Sequence, residues 1–433
     1  MSDLPVIVIG AGPQGLAAAA HLLERDIEPI VLERGDAAGA AVSEWGHVRL
    51  FSAWDELVDS ASRRLLERAG HRVPVSGYPK GQAWVRDYLA PLAAALGDRV
   101  RVGVEVTSVS RLGRDKVVDS GRAEQPFVVR AVDRDGRELR ILARSVLDAT
   151  GTWSQPGPAG ADGTPALGER AAADRIEYRI PVDVDELAGE HVAVVGAGHS
   201  AVHAVLRLAE LAERAPGTRV TWLLRRGSAE GALGGGEADA LPQRAALGTR
   251  TRRAIERGTV EVVTGFRTDE IRRSGDEVTL VADDGRDVGP VARVFALTGF
   301  RPDLSILSEV RVAIDPALDA VAGLAAEIDP NVHSCGTVAA TGAAELAQPE
   351  PGLFIIGAKS YGRAPTFLAL TGYEQVRSVV AELAGDHEAA ARNELVLPET
   401  GVCGGGGADF GGSSCCAVPE PVQIGRPVAV IGA

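Results

Sequence analysis

The chain holds four cysteines, and three of them fall in one stretch, CGGGGADFGGSSCC, residues 403–416. Consecutive Cα atoms lie about 3.8 Å apart, whereas an unstrained disulfide spans about 4.4–6.8 Å. A Cys415–Cys416 bridge is therefore strained and easily reduced. As free thiolates the pair is a soft chelator suited to thiophilic acceptors. The glycine tether lets the pair travel, and Cys335 can supply a third sulfur. Cys335, Cys415 and Cys416 are thus candidate catalytic thiols, and together with Cys403 a candidate metalloid-binding set. The alternative is a tail whose cysteines have no role. No His/Cys spacing matches a structural zinc site. His47, His199 and His333 lie near candidate site segments, but a lone histidine is more often structural, and none is assigned a catalytic role.

A second chemistry is written twice. Residues 6–23 read VIVIGAGPQGLAAAAHLL and residues 192–208 read VAVVGAGHSAVHAVLRL. Each is an apolar run without polar alternation, as in a parallel strand buried on both faces, then a glycine turn and an alanine-rich helix. Gly10 and Gly196 permit the turn. Gly12 and Gly198 let backbone approach a pyrophosphate, and Gly15, or Ala201 in the second copy, lets the helix pack on the strand. The helix start offers free N–H groups to the phosphates. One copy alone is a weak signal; two copies with matching second strands are a stronger one.

The second strands differ. EPIVLERG ends on Glu33, near the place where a carboxylate binds a ribose diol and repels a 2′-phosphate, so the first site suits FAD or NAD, with Arg34, Gly151 and Gly357 also around the flavin. TRVTWLLRRG puts Arg225 and Arg226 there instead. Two guanidiniums can grip a 2′-phosphate, which suits NADPH, unless both are solvated surface charges. SVLDATG (145–151) and ARVFALTG (292–299) are apolar strands ending in Thr-Gly, at Gly151 and Gly299. GLFIIGAKS (352–360) is another, meeting Gly357, and the pattern after Gly372 is helical.

The positioning elements follow. The fold class expected is α/β, with two Rossmann-like dinucleotide-binding domains. The NADPH domain, residues 175–300, is inserted in a discontinuous FAD domain, 1–155 and 305–395. Residues 155–174 read as a surface connector. Residues 227–242 read as either a mobile excursion or a lid. Residues 401–433 form a flexible Cys/Gly-rich tail.

Composition narrows the partners. The chain has 433 residues, a hydrophobic fraction of 45% and a formal net charge of −14. That acidity argues against nucleic acid and anionic membrane, both of which ask for a basic face. No apolar run reaches the length of a membrane span. Entry into a core strand within a few residues leaves no room for a signal peptide, and the cysteine pattern is not a secreted disulfide framework, so cytoplasmic localisation is expected.

This constellation resembles the two-dinucleotide-binding flavoproteins, which include flavin-containing monooxygenases and thioredoxin-reductase-like enzymes, over residues 5 to about 385. It is most similar to ArsO-type flavoproteins associated with arsenic resistance, through EWGHVRLFSAWDELVDSASRRLL (44–66), NVHSCGTVAATGAAELA (331–347), AKSYGRAPTFLALTGYEQVRSVV (358–380) and PETGVC (398–403). The resemblance implies FAD at the first motif and NADPH at the second. It adds Arg49, Phe51 and Ser52 beside the flavin, Val106 giving its backbone to the adenine, and Gln375 reaching the pyrimidine edge. Phe51 as core, Arg49 as an ion-pair partner and Gln375 as a solvated helix residue stay open. A small-molecule substrate is implied, a trivalent arsenical, which takes three thiolates; homodimerisation is left open.

Departures matter. Residues 36–52 contain no cysteine, and no CxxC occurs anywhere, so the thiol relay of the disulfide reductases is missing. The Phe-x-Gly-x-x-x-His fingerprint of the monooxygenases is absent from residues 176–191. Where disulfide reductases carry Gly-Asp, this chain has Gly357-Ala358-Lys359. The leading expectation is an NADPH-dependent FAD monooxygenase. A reductase working through the tail thiols is the second reading, and a non-enzymatic metalloid-binding protein the third.

Overall fold

A computed structural model describes residues 4–233, 242–331, 341–364 and 367–395. Two five-stranded parallel sheets organise it. In the first, β1 (Val6–Ile9), β2 (Pro29–Glu33), β3 (Val100–Val102), β7 (Ser145–Asp148) and β16 (Leu353–Ile355) lie in the order β16-β7-β1-β2-β3. The antiparallel ribbon β4 (Glu105–Arg111), β5 (Phe127–Val132) and β6 (Glu138–Ala143) flanks it. The second sheet, order β11-β10-β9-β15-β8, contains β8 (Ile176–Glu177), β9 (His191–Val195), β10 (Arg219–Leu224), β11 (Glu261–Thr264) and β15 (Arg293–Ala296). A second ribbon, β12 (Thr268–Ser274), β13 (Glu277–Ala282) and β14 (Asp287–Val291), accompanies it.

The first sheet is thus completed by β16, which arrives after the whole second sheet and pairs with β7, Ile355 opposite Asp148. This is the discontinuous arrangement expected of the two Rossmann-like units.

The lack of polar alternation has a direct cause. In the second sheet Val192, Val194, Trp222 and Phe295 point into one core, while Ala193, Val195, Leu223 and Val294 point into another. A period-2 strand covered on both faces has no side left for polar residues. In the first sheet β1 is buried at all four positions.

Two expectations change. The connector 155–174 is no simple surface link, because Glu169 is buried within it. Its carboxylate accepts from the Ala159 and Ala166 N–H groups at 2.9 and 2.7 Å and from the Tyr178 hydroxyl at 2.8 Å, tying the segment to the second unit. The helix expected after Gly372 starts earlier and spans Ala369–Leu383. Gly372 lies inside it because a Cβ there would sit 2.5 Å from the Gln14 amide on the first glycine-motif helix.

Glu350 fastens the strand that arrives late. Buried just before β16, it accepts from Arg111 Nε at 2.8 Å and from Arg122 Nη2 at 2.6 Å. Burial alone would raise its carboxyl; those hydrogen bonds and the Arg311 N–H hold it below the usual carboxylate range. Its stabilisation is therefore full above the ordinary carboxylate pKa and lost as pH falls through the folded-state value. Glu350→Gln, which still accepts hydrogen bonds, is expected to cost about 2 kcal/mol at neutral pH. The gap to wild type should narrow in acid, and urea unfolding at pH 7 and pH 3.5 reads both.

Candidate functional site

A cleft of about 680 Å³ opens at the carboxyl ends of β1, β2, β7 and β16 and reaches the second unit. Parallel α/β sheets bind ligands at that edge, because strand ends and helix starts there leave backbone groups unpaired.

The first glycine motif forms its floor. Gly10 has φ +100°, and a Cβ on it would meet the Ala149 carbonyl at 2.9 Å. At Gly15 a Cβ would lie 1.9 Å from the Gly10 carbonyl oxygen, so only glycine lets the helix Pro13–Leu23 sit this close to β1. A Cβ on Gly12 would meet nothing within 4 Å; it faces the open cleft. Pro13 opens the helix at a position whose N–H has no helical partner anyway. The next free N–H groups face a site suited to a phosphate.

Glu33 ends β2 at the cleft. Its oxygens accept from Ala11 N–H at 2.8 Å and Gly35 N–H at 2.7 Å, which fixes the carboxylate. Each oxygen keeps a further lone pair for a ribose hydroxyl. Arg34, Arg49, Phe51, Ser52, Val106, Gly151 and Gly357 also line the cleft. Arg49 donates to the Tyr78 carbonyl at 2.5 Å. Phe51 belongs to the first unit yet packs on the second unit's core, 5.0 Å from the His199 ring and 5.9 Å from that of His203.

Gln375 does not line the cleft. It is fully buried behind it, where Oε1 accepts from the Gly357 N–H at 2.9 Å and Nε2 donates to the Ser360 hydroxyl at 3.1 Å. It shapes the turn after β16 and, with no exposed surface, is not placed to reach a pyrimidine edge from the cleft wall. The residue facing the cleft from beneath is Gln14, wedged between Gly357 and Gly372.

The second motif repeats the first with one change. Gly196 has φ +131°, and a Cβ would lie 2.2 Å from the Leu297 carbonyl oxygen; Gly198 again faces open space. Ala201 is fully buried, so the helix His199–Arg214 sits far enough from β9 to admit a methyl group. Gly196, Gly198, Ala201, Arg225 and Arg226 are not part of the cleft wall, which takes His199, Ser200 and His203 from this helix. Arg225 and Arg226 follow β10, the strand beside β9, and Arg225 donates to the Ala161 carbonyl at 3.0 Å.

Sequence reasoning missed two titratable residues of the cleft wall, Lys359 and His203, and the carboxylate of Asp148 behind it. Lys359, 1% exposed, donates to Asp148 Oδ2 at 2.6 Å and to the Thr150 hydroxyl at 2.9 Å; Asp148 is fully buried. The Thr150 hydroxyl donates in turn to Asp148 Oδ1 at 2.7 Å. The visible signal was Gly357-Ala358-Lys359 itself, but its partner became apparent only through the β16–β7 pairing. His203 stands one turn after His199, a spacing that puts both on one helix face. Burial, then the neighbouring His199, Arg250, His47 and Arg207, push its imidazole down to about 4.

Cys335, Cys403, Cys415 and Cys416 lie outside the described residues, as do His333 and residues 234–241 of the proposed lid. Among the described residues no cluster of metal-ligating side chains occurs, and no helix is long and apolar enough to cross a membrane.

Known proteins share this arrangement. An indole-3-pyruvate monooxygenase from Oryza sativa subsp. japonica is 31% identical over 204 residues, 47% of this chain and 44% of that enzyme. The chain spans about half the length of the first curated relatives it matches. A bacillithiol disulfide reductase from Bacillus cereus superposes with a TM-score of 0.65 at 22% identity, over 88% of this chain and 99% of that one. A cadaverine monooxygenase from Erwinia amylovora, bound to FAD, gives 0.62 at 15% identity, over 92% and 98%. Residues 7–321 match the pyridine nucleotide-disulphide oxidoreductase family. The first cleft fits FAD and the second glycine motif a nicotinamide dinucleotide, and the chain belongs to that family.

Proposed function

We propose that the protein is an NADPH-dependent FAD monooxygenase acting on a small soft nucleophile, a trivalent arsenical. The observation that carries this reading is the absence of cysteine from residues 1–334, which include the whole first glycine motif, the segment passing the cleft and the second unit. Dioxygen needs no thiol relay. Bound flavin supplies two-electron chemistry between the coenzyme's hydride and dioxygen. The balance is simple: one oxygen atom joins arsenic through the arsenic lone pair, and the other leaves as water with the coenzyme's electrons and two protons. The chain's own part is to hold the pyrophosphate at Gly12, fix the ribose at Glu33 and keep the buried Lys359 ammonium beside the cleft. The arsenical itself rests on the sequence resemblance and on the sulfur set of Cys335, Cys403, Cys415 and Cys416. The test is turnover of methylarsenite under labelled dioxygen. One labelled atom per product supports the reading, and unlabelled product with peroxide sinks it.

The adjacent Cys415 and Cys416 favour a second reading, a reductase that uses them as its relay. Cys415→Ser with Cys416→Ser separates the two. A reductase loses turnover while NADPH still bleaches the flavin; a monooxygenase keeps oxygen incorporation.

Coenzyme choice gives a further expectation. Arg225→Ala with Arg226→Ala should raise the NADPH KM by about tenfold or more, since each charged hydrogen bond contributes roughly 1.5–3 kcal/mol. FAD content and the NADH KM should stay the same. Steady-state kinetics with both coenzymes decide it, and equal losses would put the 2′-phosphate elsewhere.

A further inference from the structure

A second cavity of about 210 Å³ adjoins the flavin cleft, sharing Arg49, Phe51 and His203 with it. Its polar wall is His47, Arg49, His203, Arg207, Gln243 and Arg250, drawn from both units, and among the described residues no carboxylate lines it. That is unusual in a chain with 59 acidic and 45 basic side chains. Arg250 alone of these arginines has a carboxylate partner among the described residues, Glu210 at 2.5 Å. Among the described residues Arg207 donates only to the Val182 carbonyl, and its buried Nε has no partner. Both ring nitrogens of His47 are buried, and among the described residues neither makes a hydrogen bond of good geometry, although the Pro181 carbonyl is near. Buried donors without acceptors are costly, and converging cations repel one another, so a wall of this kind is stabilised when an anion fills it. The volume equals that of about seven waters at roughly 30 Å³ each, enough for a small oxyanion with its hydration reduced.

We propose that this annex is an oxyanion subsite beside the flavin, which holds the anionic end of substrate or product. If the monooxygenase reading above holds, on which this identification of the ligand rests, the occupant is the arsenate or arsonate that oxygenation yields. Arg207 and His203 lie one turn apart on the His199–Arg214 helix and face His47 across the gap between units, so an anion seated there also draws the units together at the mouth of the cleft. Coenzyme phosphates share the same chemistry, and the experiment separates them.

The FAD-loaded protein is titrated with inorganic arsenate at fixed ionic strength set by sodium chloride, using calorimetry and the flavin absorbance. Saturable one-to-one binding is expected. Arg207→Gln should weaken it by about tenfold or more, the effect of losing one charge-assisted hydrogen bond, with FAD content unchanged. Arg250→Gln, on a different helix, should weaken it too and covers the case in which the first variant misfolds. The titration is then repeated with saturating NADP⁺. Undiminished arsenate binding supports the subsite. Mutual exclusion assigns the pocket to the coenzyme and overturns it, as does absent binding or equal affinity in both variants. None of these readouts needs turnover, so a failure of oxygen labelling and a failure of this subsite are seen separately.

Discussion

Gly15→Ala is expected to destroy the flavin-binding unit, whereas Gly12→Ala, three residues earlier, is expected to spare the fold and empty the site. The two glycines look alike in the sequence and differ in what surrounds them. A methyl on Gly15 would sit 1.9 Å from the Gly10 carbonyl oxygen, a backbone atom at the strand-to-helix turn that cannot swing aside. The helix must retreat from β1, at a cost of about 3 kcal/mol or more, the upper range of overpacking in a tight core. At Gly12 the backbone is extended, with φ −79° and ψ −175°, a conformation alanine adopts freely, and its Cβ meets nothing within 4 Å. The apoprotein should therefore unfold within about 0.5 kcal/mol of wild type. The added methyl occupies the space through which a pyrophosphate approaches, and FAD affinity should fall by about tenfold or more, as for one lost charged hydrogen bond. Urea unfolding of the apoproteins and flavin titration decide both halves. Wild-type flavin affinity in Gly12→Ala would place the phosphates elsewhere.

Lys359→Met should lower the unfolding free energy by about 3–5 kcal/mol, because it strands the fully buried Asp148 carboxylate. The Thr150 N–H and hydroxyl remain as donors to Oδ1, but Oδ2 loses its ammonium at 2.6 Å. Adding Asp148→Asn to Lys359→Met removes the stranded charge and should restore much of the loss, since replacing both partners of a buried pair is far milder than removing one. The double-mutant cycle is read by urea unfolding. A single variant within 1 kcal/mol of wild type would show that the charge is solvated through the cleft.

Much of this was legible in the chain. The two glycine motifs, the apolar strands and the split of the first unit all follow from local spacing and from strands covered on both faces. Glu33 was legible because it ends a strand at a fixed distance from a motif. What stayed hidden depends on contacts between distant segments. Gln375 was expected at the flavin from its place in a helix, but the helix face it occupies turns toward the Gly357 backbone. Lys359 and Asp148 carry no mutual signal, and only the β16–β7 register sets them side by side. The oxyanion annex draws His47 from one unit and Arg207 and Arg250 from the other, so no window of sequence contains it. Glu169 was hidden for a related reason: a Pro/Gly-rich segment reads as surface unless a buried carboxylate gathers its N–H groups.

The late arrival of β16 bears on how the chain is made. During synthesis β7 emerges with one edge unpaired, and its partner follows only after every strand of the second sheet. The second unit is contiguous and can close while the ribosome is still working; the first must wait with a bare, apolar strand edge, the kind of surface that templates aggregation. Glu350, separated from Arg122 by 228 positions, marks the moment at which that wait ends. Slow translation between the two halves lengthens the exposed interval, so yield from a nascent chain should depend on codon choice after Asp148 more than before it.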